Sequence, residues 1–190
     1  MAGQGKPELN DVAQRLLGDL RRIRFLAVEV KDRAMGDLAT LNERRAAHLE
    51  GVVLRTMDRL GALHPEVSLQ LSTPVSPGLR VLVAGGEATL ERMLFNLVGN
   101  ACESQARTVD IRVDLDREDR VRVHINDDGP GFPRAVLSGQ TSSTKAGGTG
   151  VGLSVVRGLT EASGGFFWFG NRERGGRAVL TLLRAPGDPR

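Results

Sequence analysis

A chain of 190 residues has room for one domain with an extension, or for two small domains. It is 40% hydrophobic and 26% charged, and its net charge of +3 is spread along the chain with no Lys/Arg cluster among aromatics, which argues against nucleic-acid binding. Cys102 stands alone, which excludes an intramolecular disulfide, and the polar start "MAGQGKPELND" carries no signal peptide. No apolar run reaches the roughly 18 residues that a membrane span needs, so the expected location is the cytoplasm and no membrane segment is expected.

Residues 9 to about 62 read as helical. Leu9, Val12, Leu16, Leu20, Ile23 and Leu26 recur three or four apart between Arg and Asp residues. Gly36 interrupts the stripe, which resumes with Leu38, Leu41, Leu49, Val52, Val53, Met57 and Leu60. Two amphipathic helices joined near Gly36 form an antiparallel hairpin over residues 1–63. Such a hairpin cannot bury both stripes alone, so it is expected to pair with a second copy, giving a homodimer, or to dock on the rest of the chain.

The second domain, 64–190, opens with "HPEVSLQLSTPVSPGLR", a short alternating strand followed by turns. Then follow a strand over Arg80–Ala84, a helix over about 87–104, strands over about 108–114 and 120–126, and an irregular Gly-rich stretch over 127–150. A helix over about 151–162 and strands over about 165–171 and 177–183 complete the chain. Strands and helices mix without regular alternation, which predicts an α+β sandwich with helices over one face of a mixed sheet.

Three stretches carry chemistry. In "INDDGPGFP" an alternating strand runs into Asp127 and Asp128 and then into Gly129 and Gly131, where the backbone can turn sharply or approach a ligand. A plain strand and turn would also produce this pattern. In "ATLERMLFNLVGNACES", Asn96 and Asn100 lie four apart on one side of a helix. Amides are poor helix-interior residues, so the pair fits a polar ligand or metal, or else a solvated face. In "TSSTKAGGTGVGLSVVRGL", Gly148, Gly150 and Gly152 lead into a helix N-terminus, where free N–H groups and the helix dipole favour an anion. Lys145 adds a point charge, and the spacing matches neither a P-loop nor a dinucleotide fingerprint.

In that order, "NLVGNACES", "DDGPGFP" and "GGTGVGLSVV" resemble the N box and the two glycine boxes of the GHKL superfamily, in its histidine-kinase branch. The resemblance covers residues from about 65 to 185 and implies a Bergerat-type ATP-binding fold. It implies ATP and Mg²⁺ as cofactors. Asp127 would accept a hydrogen bond from the adenine amine, with Gly129 and Gly131 letting the backbone pass close to the base. Asn100 would reach Mg²⁺, with Asn96 and Glu103 one turn away on either side. Thr144, Lys145, Gly148, Gly150, Gly152 and Leu153 would belong to the lid and phosphate region. The usual Ser or Thr of the closing strand is replaced here by Arg177 and Ala178, which puts one polar contact near adenine in doubt. The Phe-rich lid motif of many relatives is absent, so a short lid is expected.

Family members that hydrolyse ATP with water carry a Glu four residues before the Mg²⁺ asparagine. Asn96 stands there, and an amide cannot take up a proton at neutral pH. The resemblance therefore points to phosphoryl transfer to a histidine, within a two-component phosphorelay whose partner is a response regulator or phosphotransfer protein. The chain holds three histidines. His124 lies on a strand and His64 precedes Pro65, which leaves His48 as the acceptor candidate within the hairpin. "LLGDLRRIRFLAVEV" is similar to the family's acceptor box, but Gly18 stands where His belongs. An adapter that binds ATP without transfer, and a serine kinase of the anti-sigma-factor type, are the alternative readings.

Overall fold

A computed structural model of the chain describes residues 43–116, 120–138 and 151–186. The first described element is not helical. Residues Arg44–His48 form strand β1, and Leu49–Leu63 form helix α1. Strands β2 (Ser68–Leu71) and β3 (Arg80–Ala84) precede helix α2 (Glu87–Cys102). The antiparallel pair β4 (Thr108–Leu115) and β5 (Arg120–Asp127) follows, then a short helix α3 (Arg134–Leu137). Helix α4 (Val151–Ala162) and strands β6 (Phe166–Asn171) and β7 (Gly176–Arg184) complete the order.

The strands form one mixed sheet in the order β1-β3-β7-β5-β4-β2, with β6 also paired to β7. Among the described strands only the β2–β4 pair is parallel. Alternation dictates its two faces. Val109, Ile111 and Val113 of β4, Val121, Val123 and Ile125 of β5, and Leu180 and Leu182 of β7 are buried on one side. Helices α1, α2 and α4 cover that side. Leu90, Met93, Leu94, Leu97, Val98 and Ala101 supply the buried stripe of α2, which packs between α1 and α4. Burying each such large side chain is worth about 1.5–3 kcal/mol, so this layer holds the helix that bears the two asparagines. The other face carries Arg112, Arg122 and His124, and the exposed Phe166 and Trp168. His124 faces outward there, with Nε2 2.6 Å from Asp114 Oδ1.

Two sequence expectations are corrected. The helical reading of 9 to about 62 fails at 44–48, where β1 pairs antiparallel with β3 from Arg44↔Ala84 to His48↔Arg80. Four of its five residues are exposed and only Ala47 is buried, so this edge strand has no alternating signal and pairing alone decides it. Helix α1 then buries Leu49, Val52, Val53 and Leu60 in the core shared with the sheet. Residues 44–63 thus lie in the same compact unit as the motifs, Leu41–Arg190, rather than in a hairpin before it. Second, the described residues of the Gly-rich stretch over 127–150 include a helical turn, α3. The remainder of the expected hairpin, residues 1–42, lies outside the described residues, and with it Gly18 and the stripe from Leu9 to Leu26.

Among the described residues, no helix is long and apolar enough to cross a membrane.

Candidate functional site

Strand β5 ends at Asp127, whose side chain turns to the helical face and is 8% exposed. A buried carboxylate needs donors. Asp127 Oδ1 accepts from the backbone N–H of Gly129 at 3.0 Å and of Gly176 at 3.2 Å, with the Ser104 hydroxyl at 3.4 Å. Among the described residues all three bonds fall on Oδ1. The carboxylate borders a cavity of about 580 Å³, and none of these bonds falls on Oδ2. Leu97, Ile125, Leu153 and Ala178 make its apolar wall, and Asn100, Glu103 and Gln105 its polar side. Pro130, Gly131, Phe132 and Pro133 close it from the loop after β5. An apolar wall with a few converging polar groups is the form of a small-molecule site.

The next carboxylate has a different task. Asp128 Oδ1 accepts from the backbone N–H groups of Arg107 at 2.8 Å and Thr108 at 2.9 Å. The Thr108 N–H chiefly, then that of Arg107, holds its pKa below the usual 3.8. Asp128 thus anchors the end of β5 to the start of β4 and leaves Asp127 to face the cavity.

The sequence candidates fall into three groups. Asn100, Glu103, Asp127, Gly131 and Leu153 surround the cavity together. Asn96, Gly129 and Gly152 stand just behind its wall. Asn96 is buried and spends its Nδ2 on the carbonyl of Arg92 at 3.0 Å, one helical turn back. A Cβ added to Gly152 would stand 3.4 Å from Asn100 Nδ2 and 3.5 Å from Asn96 Oδ1, so the start of α4 lies against both amides. Thr144, Lys145, Gly148 and Gly150 lie outside the described residues. His48 is not part of the site. It ends β1, with Nδ1 3.1 Å from Glu87 Oε1 and its backbone N–H on the same oxygen at 3.2 Å.

Several residues of the site were not singled out from the sequence. Ser104 and Phe132 touch Asp127 or the cavity, and their types carry no distinctive signal. Gly175 adopts φ +80°, and a Cβ there would stand 1.8 Å from the carbonyl oxygen of Asp127. The Gly175–Gly176 pair in "RGGRAV" is the trace it leaves in the sequence. Arg177, flagged as a departure, points to the opposite face and donates from Nε to Asn126 Oδ1 at 2.7 Å. Ala178 is the residue that reaches the cavity. Phe132 supplies an aromatic wall from the loop rather than from a lid.

The mixed sheet with helices on one face, and a cavity between α2 and the loop after β5, define an ATP-binding domain of the GHKL, histidine-kinase type. Residues 85–187 match the family described as histidine kinase-, DNA gyrase B- and HSP90-like ATPase, and the chain belongs to that family. It is 30% identical over 160 residues to the sensor protein BasS of Escherichia coli, a match covering 80% of this chain and 44% of BasS. It is 31% identical over 177 residues to the sensor protein FixL of Bradyrhizobium diazoefficiens, covering 89% of this chain and 33% of FixL. The chain therefore spans less than half the length of these two sensor proteins. The nucleotide-free catalytic domain of the histidine kinase ThkA shares the fold, with a TM-score of 0.64 at 24% identity, covering 76% of this chain and 97% of that domain.

Proposed function

We propose that this chain is the ATP-binding portion of a two-component sensor kinase, which seats ATP in the cavity beside Asp127 and delivers the γ-phosphoryl group to a histidine. The observation that carries this reading is the buried Asp127 carboxylate, with Oδ1 tied to backbone N–H groups and Oδ2 left for an adenine amine. A guanine offers a keto oxygen at the matching position, which a carboxylate repels. Leu97, Ile125, Leu153 and Ala178 supply the apolar surface on which a base lies.

Asn100 supports Mg²⁺ binding. Among the described residues no cluster of three His, Cys, Asp or Glu could cage a metal. A hard cation bound mainly through substrate phosphates needs only one or two protein oxygens, and the Asn100 amide oxygen at the cavity fits that need. When bound there, Mg²⁺ would neutralise charge on the β- and γ-phosphates. Thr144, Lys145, Gly148, Gly150 and Gly152 complete the phosphate end in this reading, and Glu103 borders it. Asn96 argues against water activation, because its amide is no base and is already bonded within the helix. The acceptor histidine is then one presented to this domain from outside it, since His48 is held at the sheet edge by Glu87. A response regulator downstream and homodimerisation through the N-terminal segment belong to the same reading.

The test is incubation with γ-labelled ATP and Mg²⁺, alone and with a histidine phosphotransfer protein. Acid-labile, base-stable label on the partner, lost in Asn100→Ala, is the expected result. Intact ATP binding with no label on any histidine would make the chain a nucleotide-binding adapter. Acid-stable label would move the acceptor to serine.

A further inference from the structure

The loop Pro130–Pro133 forms one wall of the cavity without belonging to a helix or strand. Pro130 and Pro133 have no N–H, so the loop has few means of holding itself. Gly129 is tied to Asp127 and the Pro133 carbonyl to α3, and between them the loop's partner is a side chain 39 residues away. Asn171 Oδ1 accepts from the Phe132 N–H at 2.6 Å, and Asn171 Nδ2 donates to the Phe132 carbonyl at 3.0 Å. One amide thus satisfies both backbone groups of a single residue, as a neighbouring strand would. The contact also demands glycine beside it. Gly131, at φ +77°, lies flat on the amide, and a Cβ there would stand 2.7 Å from Asn171 Oδ1.

We propose that Asn171 is a positioning residue for the nucleobase, clamping the loop wall of the cavity against the end of β6. This rests on the reading of the cavity as a nucleotide site. Asn171 does not line the cavity itself. It pairs in register with Gly176, whose N–H holds Asp127, so one end of the β6–β7 hairpin fixes both the carboxylate and the loop wall. Phe132 completes the clamp, its ring packed on Phe169 at 5.0 Å between centroids. Asn171 is exposed, so water competes for its bonds and the fold needs them little. A loop already fixed in its bound form spares a ligand the cost of ordering it, so the loss should appear in binding.

The experiment titrates ADP into wild type, Asn171→Ala and Asn171→Asp by calorimetry, with thermal denaturation and amide exchange on each. Asn171→Ala is expected to raise the ADP Kd about tenfold, equivalent to about 1.4 kcal/mol. Its Tm should stay within about 2 °C of wild type, and exchange should accelerate at Phe132 but not in β5. Asn171→Asp keeps the size and the acceptor but faces the Phe132 carbonyl with oxygen, so it too should lose affinity. An ADP Kd within twofold of wild type for Asn171→Ala overturns the proposal. So does an affinity loss accompanied by lower global stability and faster exchange throughout β5, which would mark a merely structural role. If wild type binds no ADP, the nucleotide reading is what fails, and unchanged Phe132 exchange in Asn171→Ala would then refute the clamp by itself.

Discussion

Gly175→Ala attacks the site from behind. Gly175 holds φ +80°, where an L side chain costs about 1–2 kcal/mol. The new Cβ would stand 1.8 Å from the Asp127 carbonyl oxygen, and real Cβ contacts essentially never fall under 3.0 Å, so the backbone must give by more than 1 Å. The neighbouring Gly176 N–H then leaves Asp127 Oδ1, from which it is 3.2 Å away. A hydrogen bond to a charged group is worth about 1.5–3 kcal/mol, so the combined destabilisation is about 2.5–5 kcal/mol. A domain with about 5–15 kcal/mol of stability survives this at 25 °C with little margin, and at about 2–4 °C per kcal/mol the Tm falls by about 5–20 °C. Because the displaced group is Asp127, ADP affinity should fall more than tenfold in the fraction that remains folded. Thermal denaturation followed by tryptophan fluorescence, and ADP calorimetry below the transition, give both numbers. A Tm within about 2 °C of wild type together with unchanged ADP binding would refute the reasoning.

Other perturbations separate the roles of neighbouring groups. Asp127→Asn keeps an acceptor for Gly129 and Gly176 but turns an NH₂ toward the ligand, so calorimetry should show ADP weakened by about ten- to a hundredfold, the loss of one charge-assisted bond of about 1.5–3 kcal/mol. Asp128 has a folded pKa below its unfolded one, so its stabilisation is complete above about pH 4 and is lost as pH falls through the folded value. Urea stability measured at pH 7 and pH 3 should therefore drop less in Asp128→Asn than in wild type; equal drops would remove Asp128 from the acid response. Burial pushes the Cys102 thiol up to about 12, so it stays protonated at neutral pH and the native protein should resist a thiol reagent that the denatured protein consumes rapidly. Equal rates would show that α2 does not bury it.

The sequence made the second half of the fold legible because its elements declare themselves locally. From Arg80 to Arg184 the strands alternate and the helices carry continuous stripes, so their ends were placed within about two residues. It failed at 44–48 because "RRAAH" has neither alternation nor large apolar side chains, and its strand state comes from β3, more than thirty residues on. The Leu49–Leu60 stripe is a real helix, but the surface it packs on could not be read from its period. In the site, Asp127, Gly131 and Asn100 were visible because each sits in a local motif with an unusual residue for its element. Asn171 and Gly175 were not, because their chemistry is made across the fold, with Phe132 and Asp127, and nothing in their own neighbourhood requires it. Arg177 was read as a possible loss at the site, but alternation in β7 turns it away and presents Ala178 instead.

The claim on which the rest depends is that the cavity beside Asp127 takes an adenine nucleotide. Calorimetric titration of the wild-type chain with ADP and, separately, GDP, each with Mg²⁺, tests it most directly. The account predicts saturable 1:1 binding of ADP and at least about a tenfold weaker response to GDP, since a carboxylate facing a keto oxygen leaves buried polar groups unpaired. Equal affinity for the two nucleotides, or heat from neither, would contradict it.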